Sequence, residues 1–304
     1  MNMKEKYKIF SEGMKAGSVC FDEPMSQHTT FQIGGPADVF LVPKTQEEAA
    51  WAISVCKKEG FDYFLLGNGS NLLVSDTGYR GVVIQLFKNL SGIEREGSLL
   101  RVAAGTLLSD IAKRAGEEGL GGFEFASGIP GTLGGAVVMN AGAYGGEMKD
   151  IIHSAKILTK DGKIKVLSNE ELKFSYRSSR VKENKELVLE ASIALRAADK
   201  EEIRALIEDF TKKREEKQPL ELPSAGSTFK RPEGHFAGKL IMDSGLRGYR
   251  VGGAQISEKH CGFVVNTGGA NAKDVVRLIK DVQSIVKEKF GVDLEPEVRF
   301  LGDF

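Results

Sequence analysis

The sequence predicts an α+β fold, and three observations predict it. Strand-length apolar runs and helix-period segments mix along the 304 residues without strict β–α alternation. Ser154–Thr159 and Lys163–Leu167 flank Lys160-Asp161-Gly162, a hairpin signal and so a sign of antiparallel pairing. Gly67-Asn68-Gly69 follows the apolar run Tyr63–Leu66, but Leu72 stands where a third glycine would, and a strand-like Gly81–Leu86 follows instead of a long amphipathic helix. That mismatch removes the doubly wound dinucleotide fold.

In chain order, residues 1–20 mix charged and apolar groups and read as a short helix packing on the body. Residues 29–36 are extended and end in a turn at Gly34-Gly35-Pro36. Thr45-Gln46-Glu47-Glu48 reads as a capping box. Its helix runs to about Lys58, with Ala49, Ala52, Ile53 and Cys56 on one face, and Gly60 stops it. Tyr63–Leu66, Val82–Leu86 and Leu99–Ala103 read as strands. Thr106 starts a helix with Leu108, Ile111, Ala112 and Ala115 inward. After the hairpin comes a long strand, Leu187–Leu195. A helix from about Asp199 to Glu216 carries Ile203, Leu206, Ile207 and Phe210 at i, i+3, i+4 and i+7. Pro219 and Pro223 then break the pattern and mark a domain boundary. Beyond it lie a turn at 223–232, a helix near Ala237–Ser244 and a short strand Phe263–Asn266. A final helix runs from an Asn271 cap to Phe290, ended by Gly291, and the strand Glu297–Leu301 closes the chain.

Composition narrows the function classes. The 42 basic residues balance 42 acidic ones, whereas a broad nucleic-acid footprint needs a basic excess. Cys20, Cys56 and Cys261 are too scattered for a disulfide framework, and they form no metal-ligand spacing with the histidines, so no metal is expected. There is no signal-peptide core and no apolar run long enough to span a bilayer, so no membrane association is expected either. These readings give a reduced, cytoplasmic enzyme without an obligate protein partner.

One stretch organises the rest: Ser127–Gly146, SGIPGTLGGAVVMNAGAYGG, with seven glycines and no charged side chain. Glycine is costly to order, so this density points to φ > 0 or to close backbone approach. Gly128, Gly131, Gly134 and Gly135 run into Ala136-Val137-Val138-Met139, a first helical turn. Free N–H groups feeding a helix start can hold an anion such as a cofactor pyrophosphate. A compact crossing of two backbones explains the same glycines. Asn68, Ser70 and Asn71 supply short donors in the second loop, 65–76, LLGNGSNLLVSD.

Together, GNGSNLLVSD and GIPGTLGGAVVMNAGAYG resemble the flavin-binding half of the UDP-N-acetylenolpyruvoylglucosamine reductase family, in its shorter (type II) form. HTTFQIGGPAD (28–38), FSYRSSR (174–180), PSAGSTFKRP (223–232) and EPEVRFLG (295–302) extend the resemblance nearly end to end. It implies a vanillyl-alcohol-oxidase/PCMH-type FAD-binding fold in two subdomains, 1–80 and 81–215, with a smaller α+β substrate-binding domain at 216–294. The closing strand, 295–304, would return to the catalytic centre. By the same resemblance, FAD would be held non-covalently, by Gly67, Asn68, Gly69, Ser70 and Asn71 and by Gly128, Ile129, Gly131, Thr132, Gly134 and Gly135. His28 is the nearest residue for a covalent link, which the family does not use. The resemblance implies NADPH as co-substrate and UDP-N-acetylglucosamine enolpyruvate as substrate.

The resemblance places catalysis on Arg177, Ser227 and Glu297. By residue type alone, Arg177 or Arg180 could equally be a surface ion pair, but a permanently cationic fork suits a carboxylate next to a carbon gaining charge. Ser227 follows Gly226 in a sharp turn without a histidine base or a Gly-x-Ser-x-Gly elbow, so it is no hydrolase nucleophile. It is a turn residue, or, by resemblance, a proton donor. Glu295, Glu297 and Arg299 share one face if 295–299 is a strand. Tyr176, Lys217, Lys230 and Arg231 are candidate substrate contacts, or solvated surface groups. His260 is a possible pocket residue. The longer form's inserted tyrosine loop is missing, so its diphosphate contact is not carried over. An oxygen-using oxidase on the same fold and a redox-silent nucleotide-sugar binder are the competing readings. The 223–232 and 295–302 motifs favour the reductase.

Overall fold

The structure, a computed structural model, describes residues 3–87 and 89–304. The chain divides into two compact units. The first holds the residues up to Cys20, Val39–Asn68 and Val82–Lys213; the second holds Phe21–Asp38, Gly69–Gly81 and Arg214–Phe304. The strands Ser18–Pro24, Pro36–Val42, Tyr79–Gln85 and Tyr63–Leu66 form one sheet in that order.

In the first unit, Tyr63–Leu66 pairs in parallel with Val82–Gln85. A five-stranded antiparallel sheet has the order Ile164–Ser168, Ile152–Leu158, Leu187–Ala194, Leu99–Ala103, Ile93–Glu96. Lys160-Asp161-Gly162 makes the expected hairpin, with Gly162 at φ +82° and Leu158 opposite Ile164. The sheet buries Leu100, Val102, Ala155, Ile157, Val188 and Ile193 against the helices Leu108–Glu117 and Leu133–Met139.

The helix Gln46–Glu59 begins at Thr45, whose hydroxyl accepts from the N–H of Glu48, and ends on Gly60 at φ +69°. The reciprocal half of the expected box is absent. The Glu48 carboxylate instead accepts from the N–H groups of Lys15, Ala16, Gly17 and Lys44, the shortest at 2.7 Å from Ala16. Burial pushes this carboxyl up, but the four donors together hold it below the usual range.

In the second unit, Ser224–Ser227, Phe263–Asn266, Ala254–Ile256 and Arg250–Val251 form an antiparallel sheet in that order. The long helix Ala272–Phe290 packs Val275, Leu278, Ile279, Val282 and Val286 into its core. Asn271 and Asp274 form a reciprocal capping box, and Gly291 at φ +69° ends the helix. Arg299–Leu301 lies parallel to Leu72–Val74.

Several expectations change. Pro36–Val42 and Leu72–Val74 are strands that local sequence did not mark, because their partners are distant in the chain. Thr106 caps nothing: its hydroxyl bonds Gly92, and the helix starts at Leu108. Strand geometry at the C-terminus begins at Arg299, so Glu297 precedes it and the alternation argument for 295–299 fails. Leu206 is 45% exposed although it shares a helical face with buried Ile203.

Replacing Glu48 by Ala removes the shared acceptor of four N–H groups. We expect a loss of about 1.5–3 kcal/mol, the range for hydrogen bonds to a charged group, measured by denaturant unfolding. An unchanged midpoint would mean that water replaces the carboxylate without cost.

Candidate active site

The glycine-rich stretch crosses a neighbouring backbone at its centre. The helix Leu133–Met139 starts three residues earlier than the sequence suggests, and its first donors are used internally. Leu133 N–H donates to the Thr106 carbonyl at 2.9 Å, and Gly134 N–H to that of Ala104 at 2.8 Å. A Cβ at Gly134 would lie 3.0 Å from the Ala104 Cβ. At Gly134, therefore, close backbone crossing accounts for the glycine. Gly135 differs: it is exposed, and its Cβ would meet only ordinary contact with Thr132 at 3.7 Å. Nothing in the protein itself demands glycine there.

The first part of the 67–71 loop meets this stretch. A Cβ at Gly67 would sit 2.6 Å from the Thr132 hydroxyl, and Asn68 Nδ2 donates to the Pro130 carbonyl at 3.0 Å. Ser127 Oγ is buried with no hydrogen-bond partner. Gly128 and Gly131 are half-buried, and Ile129 packs on the core. An orphaned hydroxyl beside two close-set glycine turns suits a ligand that supplies polar groups of its own, as the pyrophosphate of a flavin dinucleotide does.

In the same unit, Tyr176-Arg177 forms the tip of a two-residue turn. Ser175 and Ser178 exchange both backbone hydrogen bonds, at 3.0 and 3.2 Å. Arg177 sits at φ +54°, in the left-handed region that costs a non-glycine residue of order 1–3 kcal/mol. Its guanidinium lies 5.0 Å from the ring centroid of Tyr176, which is half exposed. Arg180 lies beyond the turn, 3.9 Å from the buried Glu186 carboxylate, an ion-pair role distinct from that of Arg177.

The second unit assembles another group. Gly69 is at φ +66°, with its missing Cβ facing the His28 carbonyl at 2.0 Å; Ser70 is half-buried. Asn71 Nδ2 donates to the Glu297 carbonyl at 3.2 Å, and Arg299 N–H to that of Asn71 at 3.2 Å. Ser227 ends its strand, exposed, after Gly226 at φ +75°. Next to it, buried Thr228 accepts from the Glu297 N–H at 2.8 Å through its carbonyl and from the Val264 N–H at 2.9 Å through its hydroxyl. Lys230 N–H donates to the Glu295 carbonyl at 2.8 Å, and the Lys230 ammonium pairs with the Glu295 carboxylate. Arg231 stacks on exposed Phe236, 4.0 Å from its centroid, and Lys217 ends an exposed helix.

Sequence reasoning passed over several residues that hold these groups. Asp76, in the 65–76 motif, accepts from Ala272 and Lys273 N–H at 2.7 and 3.1 Å, and so caps the long helix. Asn140 and Thr228 stand inside quoted motifs, but their partners are far along the chain. His260 proves structural. Its Nδ1 accepts from the Gly262 N–H at 3.0 Å, and Gly238 and Gly262 leave room for its ring. Burial pushes its pKa below the ordinary 6.5, favouring the neutral imidazole. His28 pairs with Glu23 at 2.8 Å. Among the described residues no His, Cys, Asp or Glu cluster could hold a metal, and no helix is long and apolar enough to cross a membrane.

Comparison with known proteins adds the following. A family model described as UDP-N-acetylenolpyruvoylglucosamine reductase, C-terminal domain, matches residues 218–301, and an FAD binding domain model matches residues 37–168. The UDP-N-acetylenolpyruvoylglucosamine reductase of Lachnoclostridium phytofermentans is 57% identical over 94% of this chain and 93% of its own. That of Caldanaerobacter subterraneus subsp. tengcongensis is 52% identical over 96% of each chain. The crystal structure of UDP-N-acetylenolpyruvylglucosamine reductase from Thermus caldophilus superimposes with a TM-score of 0.81 at 37% identity, covering 94% of this chain and 99% of that one.

The two adjacent helical glycines differ in a measurable way. In flavin-free protein, Gly134→Ala should cost about 1–2 kcal/mol, overpacking of ~1–3 kcal/mol being partly offset by helix propensity. Gly135→Ala should be neutral or stabilising by about 0.5–1 kcal/mol. Equal thermal shifts for the two would contradict the backbone crossing at Gly134.

Proposed function

The chain belongs to the UDP-N-acetylenolpyruvoylglucosamine reductase family, and from that premise we propose that it reduces UDP-N-acetylglucosamine enolpyruvate to UDP-N-acetylmuramate at the expense of NADPH, as a cytoplasmic step of peptidoglycan precursor synthesis. It is an FAD-dependent oxidoreductase. Residues 67–71 and the 127–135 turn would hold the cofactor non-covalently, with Ser127 donating or accepting at the orphaned hydroxyl. Bound FAD supplies the hydride transfer, from reduced nicotinamide to the terminal methylene carbon of the enolpyruvyl group.

The chain's own residues supply charge, orientation and a proton. As hydride arrives at the methylene, negative charge collects on the adjacent carbon and its carboxylate. Arg177 offers a fixed positive fork to that carboxylate, and such a preorganised donor commonly contributes ~3–4 kcal/mol. Ser227 delivers a proton to the carbon next to the carboxylate, completing saturation of the double bond. Glu297 assists when it carries a proton or acts through a water, because a bare carboxylate would repel the developing enolate. Tyr176, Lys217 and Arg231 are then substrate contacts. Lys230, held by Glu295, is the phosphate contact most in need of rearrangement.

The observation that carries this reading is the backbone ladder joining 228–230 to 295–297, Glu297 N–H to Thr228 and Lys230 N–H to Glu295. A shared backbone support next to Ser227 and at Glu297 favours reading the two as paired proton-handling groups.

Ser227→Ala should leave bleaching of the flavin band by NADPH unchanged and slow its return on adding the enolpyruvyl substrate by ~10²-fold or more, since proton donation typically contributes 10²–10⁴. Stopped-flow absorbance without oxygen separates the two halves. Return at the unsubstituted protein's rate would take Ser227 out of the mechanism.

A further inference from the structure

Asn140 occupies the place that the helices Gln46–Glu59 and Ala272–Phe290 give to glycine. It ends the helix Leu133–Met139 in the left-handed conformation, φ +44°. Glycine is the usual residue there, with asparagine second. A few residues on, Gly145 takes the same region of backbone space. The amide is almost fully buried, at 1% exposure, so its polar atoms must find partners.

They find three. Nδ2 donates to the Ser175 carbonyl at 3.1 Å and to Glu147 Oε2 at 2.9 Å, and Oδ1 accepts from the Lys149 N–H at 2.9 Å. All three partners agree on which end is nitrogen and which is oxygen. Lys149, first, and then Asn140 and the charge of Arg177 hold the Glu147 carboxyl below its ordinary range against burial, so it stays an acceptor. Ser175 opens the strained turn whose tip is Arg177. Two more contacts fix that turn: Ser179 Oγ donates to the Val138 carbonyl at 2.9 Å, and Lys182 Nζ to that of Arg177 at 2.8 Å.

We propose that Asn140 is a positioning residue for Arg177. Its amide clamps the Ser175 carbonyl to the C-terminal end of the glycine-stretch helix, so that a non-glycine residue holds φ > 0 at the turn tip and its guanidinium is presented in one place. The proposal rests on the catalytic reading of Arg177. It adds to that reading a reason why the helix ends in asparagine rather than glycine: the backbone needs only the left-handed conformation, while the turn needs the side chain. Strain of this kind persists only where surrounding groups over-determine it, and here the Asn140 amide on Ser175, the Ser179 hydroxyl on Val138 and the Lys182 ammonium on Arg177 do so.

Asn140→Gly keeps the backbone conformation and deletes only the amide; Asn140→Asp keeps the shape but turns an acceptor toward two acceptors. Both are tested with FAD bound, beside Arg177→Gln and the Asn140→Gly/Arg177→Gln double variant. We expect flavin content and reduction by NADPH to stay within about twofold. Reoxidation by saturating enolpyruvyl substrate should slow by ~10²-fold, as misplacement by about 1 Å commonly does. The double variant should be no slower than Arg177→Gln alone. In flavin-free protein, amide hydrogen exchange at Ser178 should rise about tenfold in both Asn140 variants. Normal reoxidation in Asn140→Gly and Asn140→Asp, with Arg177→Gln slow, would overturn the proposal and leave Arg177 catalytic. Lost flavin, or equal slowing of both half-reactions, would also overturn it by making Asn140 a general support. Normal reoxidation in Arg177→Gln would instead remove the reading of Arg177 itself, whatever exchange at Ser178 reports.

Discussion

The first unit depends on one backbone contact, Gly134 N–H against the Ala104 carbonyl. Position 134, lacking a Cβ, makes this contact without the tight 3.0 Å approach to Ala104 that a side chain would bring, and it ties the start of the helix Leu133–Met139 to the end of the sheet strand Leu99–Ala103. The far end of that helix carries Val138 and Asn140, which receive Ser179 and hold Ser175. A seven-residue helix is too short to be stable alone. Fixed at both ends, it becomes a rigid strut between the 127–132 turn and the 175–178 turn. The glycines of this stretch therefore divide by cause: Gly134 permits a crossing of backbones, and Gly135 leaves room outside the protein.

The second unit uses the same economy of anchoring. Asp76 follows the strand Leu72–Val74 and caps the long helix, while Arg299–Leu301 pairs beside that strand. Asn71, just before the strand, bonds the Glu297 carbonyl, and Glu297 in turn bonds Thr228. One short segment, 71–76, thus fixes a helix terminus, a strand and the backbone of Glu297, and through Glu297 that of Thr228, the neighbour of Ser227. The motif GNGSNLLVSD carries structure at its end as well as the proposed cofactor contacts at its start.

What was legible in the sequence was local. Thr45 with Gly60, Asn271 with Gly291, and Lys160-Asp161-Gly162 each announce an element within a few residues of its ends, and each element formed. Pro36–Val42 and Leu72–Val74 were not legible because strand pairing is set by distant segments. Thr106 and Glu48 show that a cap-like residue type can serve another backbone instead. In the candidate site, the motifs named the glycines, Arg177, Ser227 and Glu297. They could not reveal Asn140, since its meaning lies in a carbonyl 35 residues away. Nor could spacing show that Lys230 faces Glu295 rather than open solvent.

The proposed function requires one bound flavin to connect reduced nicotinamide to an enolpyruvyl double bond, with this chain supplying the proton. Its most direct test is an anaerobic titration of the flavin-loaded protein, first with NADPH and then with UDP-N-acetylglucosamine enolpyruvate, followed by mass analysis of the sugar nucleotide. The account predicts that NADPH bleaches the flavin band and that the enolpyruvyl compound restores it without oxygen. The recovered nucleotide should be heavier by the mass of H₂. A band restored only by oxygen, with the enolpyruvyl compound recovered unchanged, would contradict it.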